Sequence, residues 1–234
     1  MRTIKAIFTK QMLSYFKNVN IIATPITFAI MAVVFTLFIP DADDAFGNWF
    51  AVMFIGMSML GAAASFIIED RATMNLRFMS MAGVSAYQYL VATATALFVS
   101  SVGFLVFFAL LGGNFGVDFI EFMAITILGA ITSICLGITL GLSKTPWLFQ
   151  PVSMVLAFGI MIADANETVA RYFYFVYTQQ INLSLRSGYE YEEGYGYIYQ
   201  DAPNAIQIIL VNLGIVLICF IYTNYKQGLY RDAR

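Results

Sequence analysis

Six long apolar runs divide this chain, each bounded by short polar or charged segments: Ile21–Ile39, Asn48–Ile68, Tyr89–Leu111, Phe119–Leu142, Trp147–Ala163 and Ala205–Tyr222. A helix that crosses the hydrocarbon core of a bilayer needs about 20 predominantly apolar residues, so each run predicts one transmembrane helix. The fifth is short, with Pro151 near its start, and is expected to draw on the polar, aromatic stretch that follows. Ahead of the first run, Ile4, Phe8, Met12, Tyr15 and Val19 recur at helical spacing, with Lys10, Ser14 and Lys17 on another face. That pattern predicts an amphipathic helix over residues 1–20, lying in the membrane interface with its lysines toward headgroup phosphates.

Composition agrees with the pattern. Of 234 residues, 60% are hydrophobic and only 11% charged, where a soluble domain carries roughly 25%. A water-facing surface needs charge, so the chain reads as an all-α integral membrane protein, a single transmembrane domain over residues 1–234. Ten of the twelve basic residues fall in the N-terminal segment, the 69–85 loop, the turn holding Lys144 and the C-terminal tail, leaving Arg171 and Arg186 on the other side. Basic residues stay cytoplasmic during insertion, so both termini are expected inside. The acidic residues Asp41, Asp43, Asp44, Asp118, Glu121, Asp164, Glu167, Glu190, Glu192, Glu193 and Asp201 collect outside. Between runs five and six lies an outer loop, residues 164–202. Its first half is rich in Tyr and Phe and predicts short helices at headgroup depth, whereas Gly188 to Gln200 reads as an extended, exposed lid.

Several chemistries are disfavoured. The chain has no histidine, which removes the commonest general base and metal ligand, and no metal site is expected. Cys135 and Cys219 sit inside apolar runs and read as small buried side chains. Asp41, Asp43 and Asp44 lack the spacing of a calcium loop. Asn166-Glu-Thr and Asn182-Leu-Ser match glycosylation acceptors, a match frequent by chance. Gly141-Leu-Ser-Lys-Thr resembles a phosphate loop only superficially: Ser143 stands where Gly is needed and no strand precedes it. No basic cluster points to nucleic acid. Apart from Glu121, the runs hold no ionisable residue, which disfavours proton- or ion-coupled transport.

Two patterns inside the runs remain. Gly129, Ser133, Gly137 and Gly141 form one small-residue stripe on run four, a close-packing face whose partner helix is either in this chain or in a second copy. Met53 and Met57 share a face of run two, and Met154, Phe158 and Met161 a face of run five. Flexible apolar side chains of this kind suit a surface that accommodates varied apolar ligands, and equally suit ordinary packing.

The layout resembles the membrane subunit of ABC-2-type transporters: an amphipathic N-terminal helix, six spans, a charged loop after span two and a long outer segment between spans five and six. The most specific likeness lies in Glu69-Asp70-Arg71, the apolar-polar stretch after it, and Gly83-Val84-Ser85-Ala86-Tyr87 leading into span three. Gly83 stands where the family often has proline, and Ala72 where a small residue follows the opening acid. The resemblance implies that residues 69–85 carry a coupling helix docking on a separate ABC ATPase. Glu69, Asp70, Arg71 and Arg77 would supply charge to that contact, and Met74, Leu76, Phe78 and Met79 apolar contacts. It also implies a dimer with a second copy or a homologous permease, in a plasma membrane such as the bacterial cytoplasmic membrane. The cargo path would lie at the dimer interface near Met53, Met57, Met154, Phe158 and Met161. No cofactor is expected on this chain; ATP and Mg would sit on the partner ATPase. The function implied is export of hydrophobic or amphipathic cargo (drug, peptide or lipid). The alternative is a non-transporting immunity or sensor protein that binds peptides or lipids.

Overall fold

A computed structural model describes residues 2–39, 45–165, 167–186 and 203–225, and among them every regular element is helical. Six helical stretches are long and apolar enough to cross a membrane: Val19–Phe38, Phe46–Ala72, Ala86–Leu111, Val117–Leu142, Pro146–Ala163 and Ala205–Thr223. They match the six predicted runs in number and order. Helix α1 (Arg2–Lys17) precedes α2 (Val19–Phe38). The second stretch is built from α3 (Ala45–Met53), a π-helical segment (Phe54–Met59) and α4 (Leu60–Ala72). The short α5 (Asn75–Met81) leads to α6 (Ala86–Leu111) and α7 (Val117–Leu142). Helices α8 (Phe149–Ala165), α9 (Glu167–Phe173), α10 (Tyr177–Arg186) and α11 (Ala205–Tyr225) complete the described chain.

The α3–π–α4 stretch is the centre of the bundle. It is 78% buried inside the chain, against 22% for α2 and 17% for the last span, and helices α2, α6, α7 and α8 pack around it. Small residues permit this. A Cβ at Gly137 would overlap the Leu60 carbonyl oxygen, and one at Gly141 would lie 2.9 Å from that of Ala64. Gly129 makes room in the same way for Ile181 and Ile55. The stripe on α7 therefore faces α4, the π segment and α10 of its own chain. In a bilayer, where the hydrophobic effect does not drive helices together, such close backbone approach is the main source of association.

The π segment holds the central helix against α8. A Cβ on Gly56 would stand 3.1 Å from the Leu156 carbonyl oxygen. One extra residue per turn, the mark of a π-bulge, rotates the residues on either side of this contact. At the start of the π segment Phe54 packs against Phe104 and Phe108 of α6, with ring centroids 5.4 and 5.6 Å away. Polar bonds join the helices too. The Asn114 amide donates to Asn48 Oδ1 at 2.7 Å, and buried Thr132 on α7 donates to Asn212 Oδ1 on α11 at 2.7 Å.

Two expectations are corrected. Helix α1 turns Ile7, Gln11 and Tyr15 into the protein against α6, a face rotated from the predicted one. Val19 is 73% exposed, and Lys10 pairs with a carboxylate of the chain. Between the fifth and sixth spans, the exposed aromatics among the described residues are Tyr172 on α9 and Phe175 in the turn that follows it. Helix α10 is buried among the long helices instead of resting at their ends. The predicted lid, Gly188 to Gln200, lies outside the described residues.

Candidate functional site

The last turn of α4 carries Glu69, Asp70 and Arg71, and each finds a different partner. Asp70, 4% exposed, accepts four hydrogen bonds. Lys10 Nζ and Asn75 Nδ2 donate to Oδ1 at 2.9 and 3.0 Å. Gln11 Nε2 and the Tyr89 hydroxyl donate to Oδ2 at 3.0 and 2.7 Å. Gln11 Nε2 also reaches Thr93 Oγ1 at 3.4 Å. One carboxylate thus ties together α1, α4, α5 and α6. A carboxylate so placed is tolerated because charged and neutral donors fill its lone pairs, whereas an unpaired one would be very costly. Nearby, burial pushes the Tyr15 hydroxyl well above its ordinary range, so it stays neutral.

Arg71 works at the adjoining helix end. Its guanidinium donates to the Gly141 and Ser143 carbonyls at 2.9 and 3.2 Å. Those carbonyls close α7, so the cation satisfies orphan acceptors and complements the helix dipole. Glu69 is exposed and accepts from Asn18 Nδ2 at 3.2 Å, at the α1–α2 junction.

Between these anchors α5 is held by local geometry. Met74 adopts φ +56, the left-handed turn that breaks α4 from α5. At the other end Gly83 has φ +78, and the Val84 N–H closes on the Met79 carbonyl at 3.0 Å in a glycine C-terminal cap. Proline, with φ fixed near −65°, does not fit there. The departure at Gly83 is therefore a different exit from α5. Ser85 and Gln88 then form a reciprocal capping box that starts α6.

This geometry sorts the predicted coupling residues into two groups. Leu76 is buried at 5% exposure and Met79 is half-buried, so both hold α5 to the bundle. Asp70 and Arg71 act as internal fasteners. Met74 and Phe78 are 59% and 61% exposed, and Arg77 and Met81 share their open face. Met81 was not among the predicted residues, although it lies three after Phe78 on the same face. Lys10, Gln11 and Tyr89 were missed as partners of Asp70, since 60, 59 and 19 residues of chain separate them from it. A polar Gln11 at spacing four from Ile7 and Tyr15 was the one available signal.

The predicted path residues are not brought together. Met53 is buried in the core at 3% exposure and Met57 is half-buried. Met154, Phe158 and Met161 lie on the outward face of α8. No group of three His, Cys, Asp or Glu side chains suited to a metal occurs among the described residues. Compared with known proteins, the chain matches no family model, no curated protein and no solved structure.

Proposed function

We propose that this chain is the membrane subunit of an ATP-driven exporter of the ABC-2 type, with the open face of α5 as the contact for a separate ATPase. The observation that carries the reading is the stripe Met74, Phe78 and Met81, exposed on a short helix outside the apolar runs. Apolar side chains grouped on a water-facing loop mark a contact surface. Arg77 on the same face offers a cation to a partner carboxylate.

The fastening of α5 supports a lever. Leu76 and Asn75 tie α5 inward, Asp70 connects that point to α1 and α6, and Arg71 grips the end of α7. A displacement of α5 on ATPase closure is therefore passed to four helices at once, as a switch between two packings requires. The charge distribution along the sequence puts this end in the cytoplasm. The working unit is a pair of membrane subunits with two ATPases, and the apolar outward face of α8 is available to the second copy. Cargo is hydrophobic or amphipathic.

Tagged protein purified from native membranes tests the reading. A stoichiometric ATPase is expected to accompany it. The pair Met74→Asp and Phe78→Asp should abolish both association and stimulated hydrolysis while leaving thermal stability unchanged. Absence of any copurifying ATPase would sink the proposal.

A further inference from the structure

Helix α10 brings an unusual sequence into the bundle. Thr178, Gln179 and Gln180 are 0%, 1% and 0% exposed, yet the helix packs against α3, α7, α8 and α11, which are largely apolar. Its position is fixed on one side. The Tyr177 hydroxyl and Ser133 Oγ lie 2.6 Å apart, and Ile181, one turn on, fills the space left by Gly129. With that side seated on α7, the neighbouring residues are carried inside with their polar ends unmatched. Both the Oε1 and the Nε2 of Gln180 lack a hydrogen-bond partner, as do Gln179 Oε1 and Thr178 Oγ1. On the elements α10 adjoins directly or through α8, Trp49 Nε1 on α3 and Ser58 Oγ in the π segment are buried and unpartnered as well.

Six such groups do not fit a sealed core. Buried polar atoms are paired in native proteins almost without exception, and an unmatched amide in an apolar bundle is strongly disfavoured. The set is chemically coherent. It offers N–H donors, carbonyl acceptors and hydroxyls that serve as either, and none of these groups is ionised at neutral pH. A charged solute would gain no counter-charge from them. A carboxamide presents one donor and one acceptor side by side, the complement of the Gln180 side chain.

We propose that α10, through the Gln180 side chain, whose two amide atoms are both unmatched, forms a binding site for a neutral amide group, such as the peptide bond or amide head of an amphipathic solute. As a binding site it stands on this chain alone. As a station for cargo it rests on the export reading above.

The test uses the full chain in lipid nanodiscs with Trp147→Phe, which leaves Trp49 as the one tryptophan of the original two. The probe is N-acetyl-leucinamide, followed by Trp49 emission and by equilibrium dialysis of radiolabelled probe against empty nanodiscs. The control is 4-methylpentyl acetate, which lacks N–H donors. Saturable binding of the amide and not of the ester is expected. Gln180→Leu and the unbranched Gln180→Met should weaken it roughly ten-fold or more, the loss expected for two neutral hydrogen bonds. Both variants should melt at or above the parent temperature, because an orphaned polar group has been removed. No saturable binding to the parent, or equal affinity in the variants, would overturn the proposal and leave the groups matched by water only. If neither variant folds, the amide-against-ester comparison in the parent still decides. Because ATPase is absent, the result is independent of whether an ATPase partner exists.

Discussion

The Tyr89 hydroxyl donates to Asp70 Oδ2 at 2.7 Å, joining the first turn of α6 to the last turn of α4 across the α5 loop. This bond and the Lys10 contact on the other carboxylate oxygen make Asp70 the point through which α5 is referred to the rest of the bundle. Tyr89→Phe removes one charge-assisted hydrogen bond and is expected to destabilise the protein by about 2 kcal/mol. Asp70→Asn should cost a similar amount, and the double variant less than the sum, because both act on one network. Unfolding in mixed micelles measures all three. Lys10→Met is expected to cost under about 1 kcal/mol, since its side chain is 41% exposed and the ion pair partly screened.

Glycines on the long helices divide by what faces them. Gly137→Val would push into the Leu60 carbonyl and Ala63, and is expected to cost about 3 kcal/mol or prevent folding. Gly61→Ala meets nothing within 4 Å and is expected to be neutral or slightly stabilising. Folded yield and melting temperature after detergent extraction distinguish the two.

Leu76 and Phe78 differ in burial although both lie on α5. Leu76→Ala leaves a cavity and should cost about 2 kcal/mol. Phe78→Ala should stay within about 0.5 kcal/mol of the parent while weakening the ATPase contact proposed above. A melt paired with a pull-down reads stability and association separately.

Gly83→Pro would make the loop more like the family pattern and is nevertheless expected to destabilise it. Proline cannot adopt φ +78 and lacks the N–H that reaches the Ser80 carbonyl at 3.0 Å. Gly83→Ala keeps the N–H and should cost about 1 kcal/mol for the left-handed backbone. Proteolysis of the loop should rise in the same order.

Thr132 and Asn212 form a buried polar bond between α7 and α11. A double-mutant cycle with Thr132→Val and Asn212→Leu is expected to give a coupling of about 0.6 kcal/mol and at most about 1.7 kcal/mol, as polar bonds between membrane helices do. A coupling near zero would mean that α11 is held by packing alone.

The number and order of the long helices were legible without coordinates, because each must carry about 20 apolar residues and no other feature of the chain does. The Gly129–Gly141 stripe was legible as a packing face for the same local reason: spacing four repeats on one side of a helix. Its partner was not legible. Only folding brings Leu60 and Ala64 against Gly137 and Gly141. Burial along 69–85 was hidden too, since Leu76 and Phe78 are both apolar and differ only in which way α5 turns after Met74. The carboxylate of Asp70 looked like surface charge until Lys10 and Gln11, far away in sequence, closed over it. Likewise the polar run Thr178-Gln179-Gln180 falls in the stretch that the sequence predicts as short helices at headgroup depth. Seating Tyr177 and Ile181 on α7 draws it inside. Periodicity is a property of one helix and is written in its own residues. Which polar group is left without water depends on the neighbours, and the tertiary structure alone decides those.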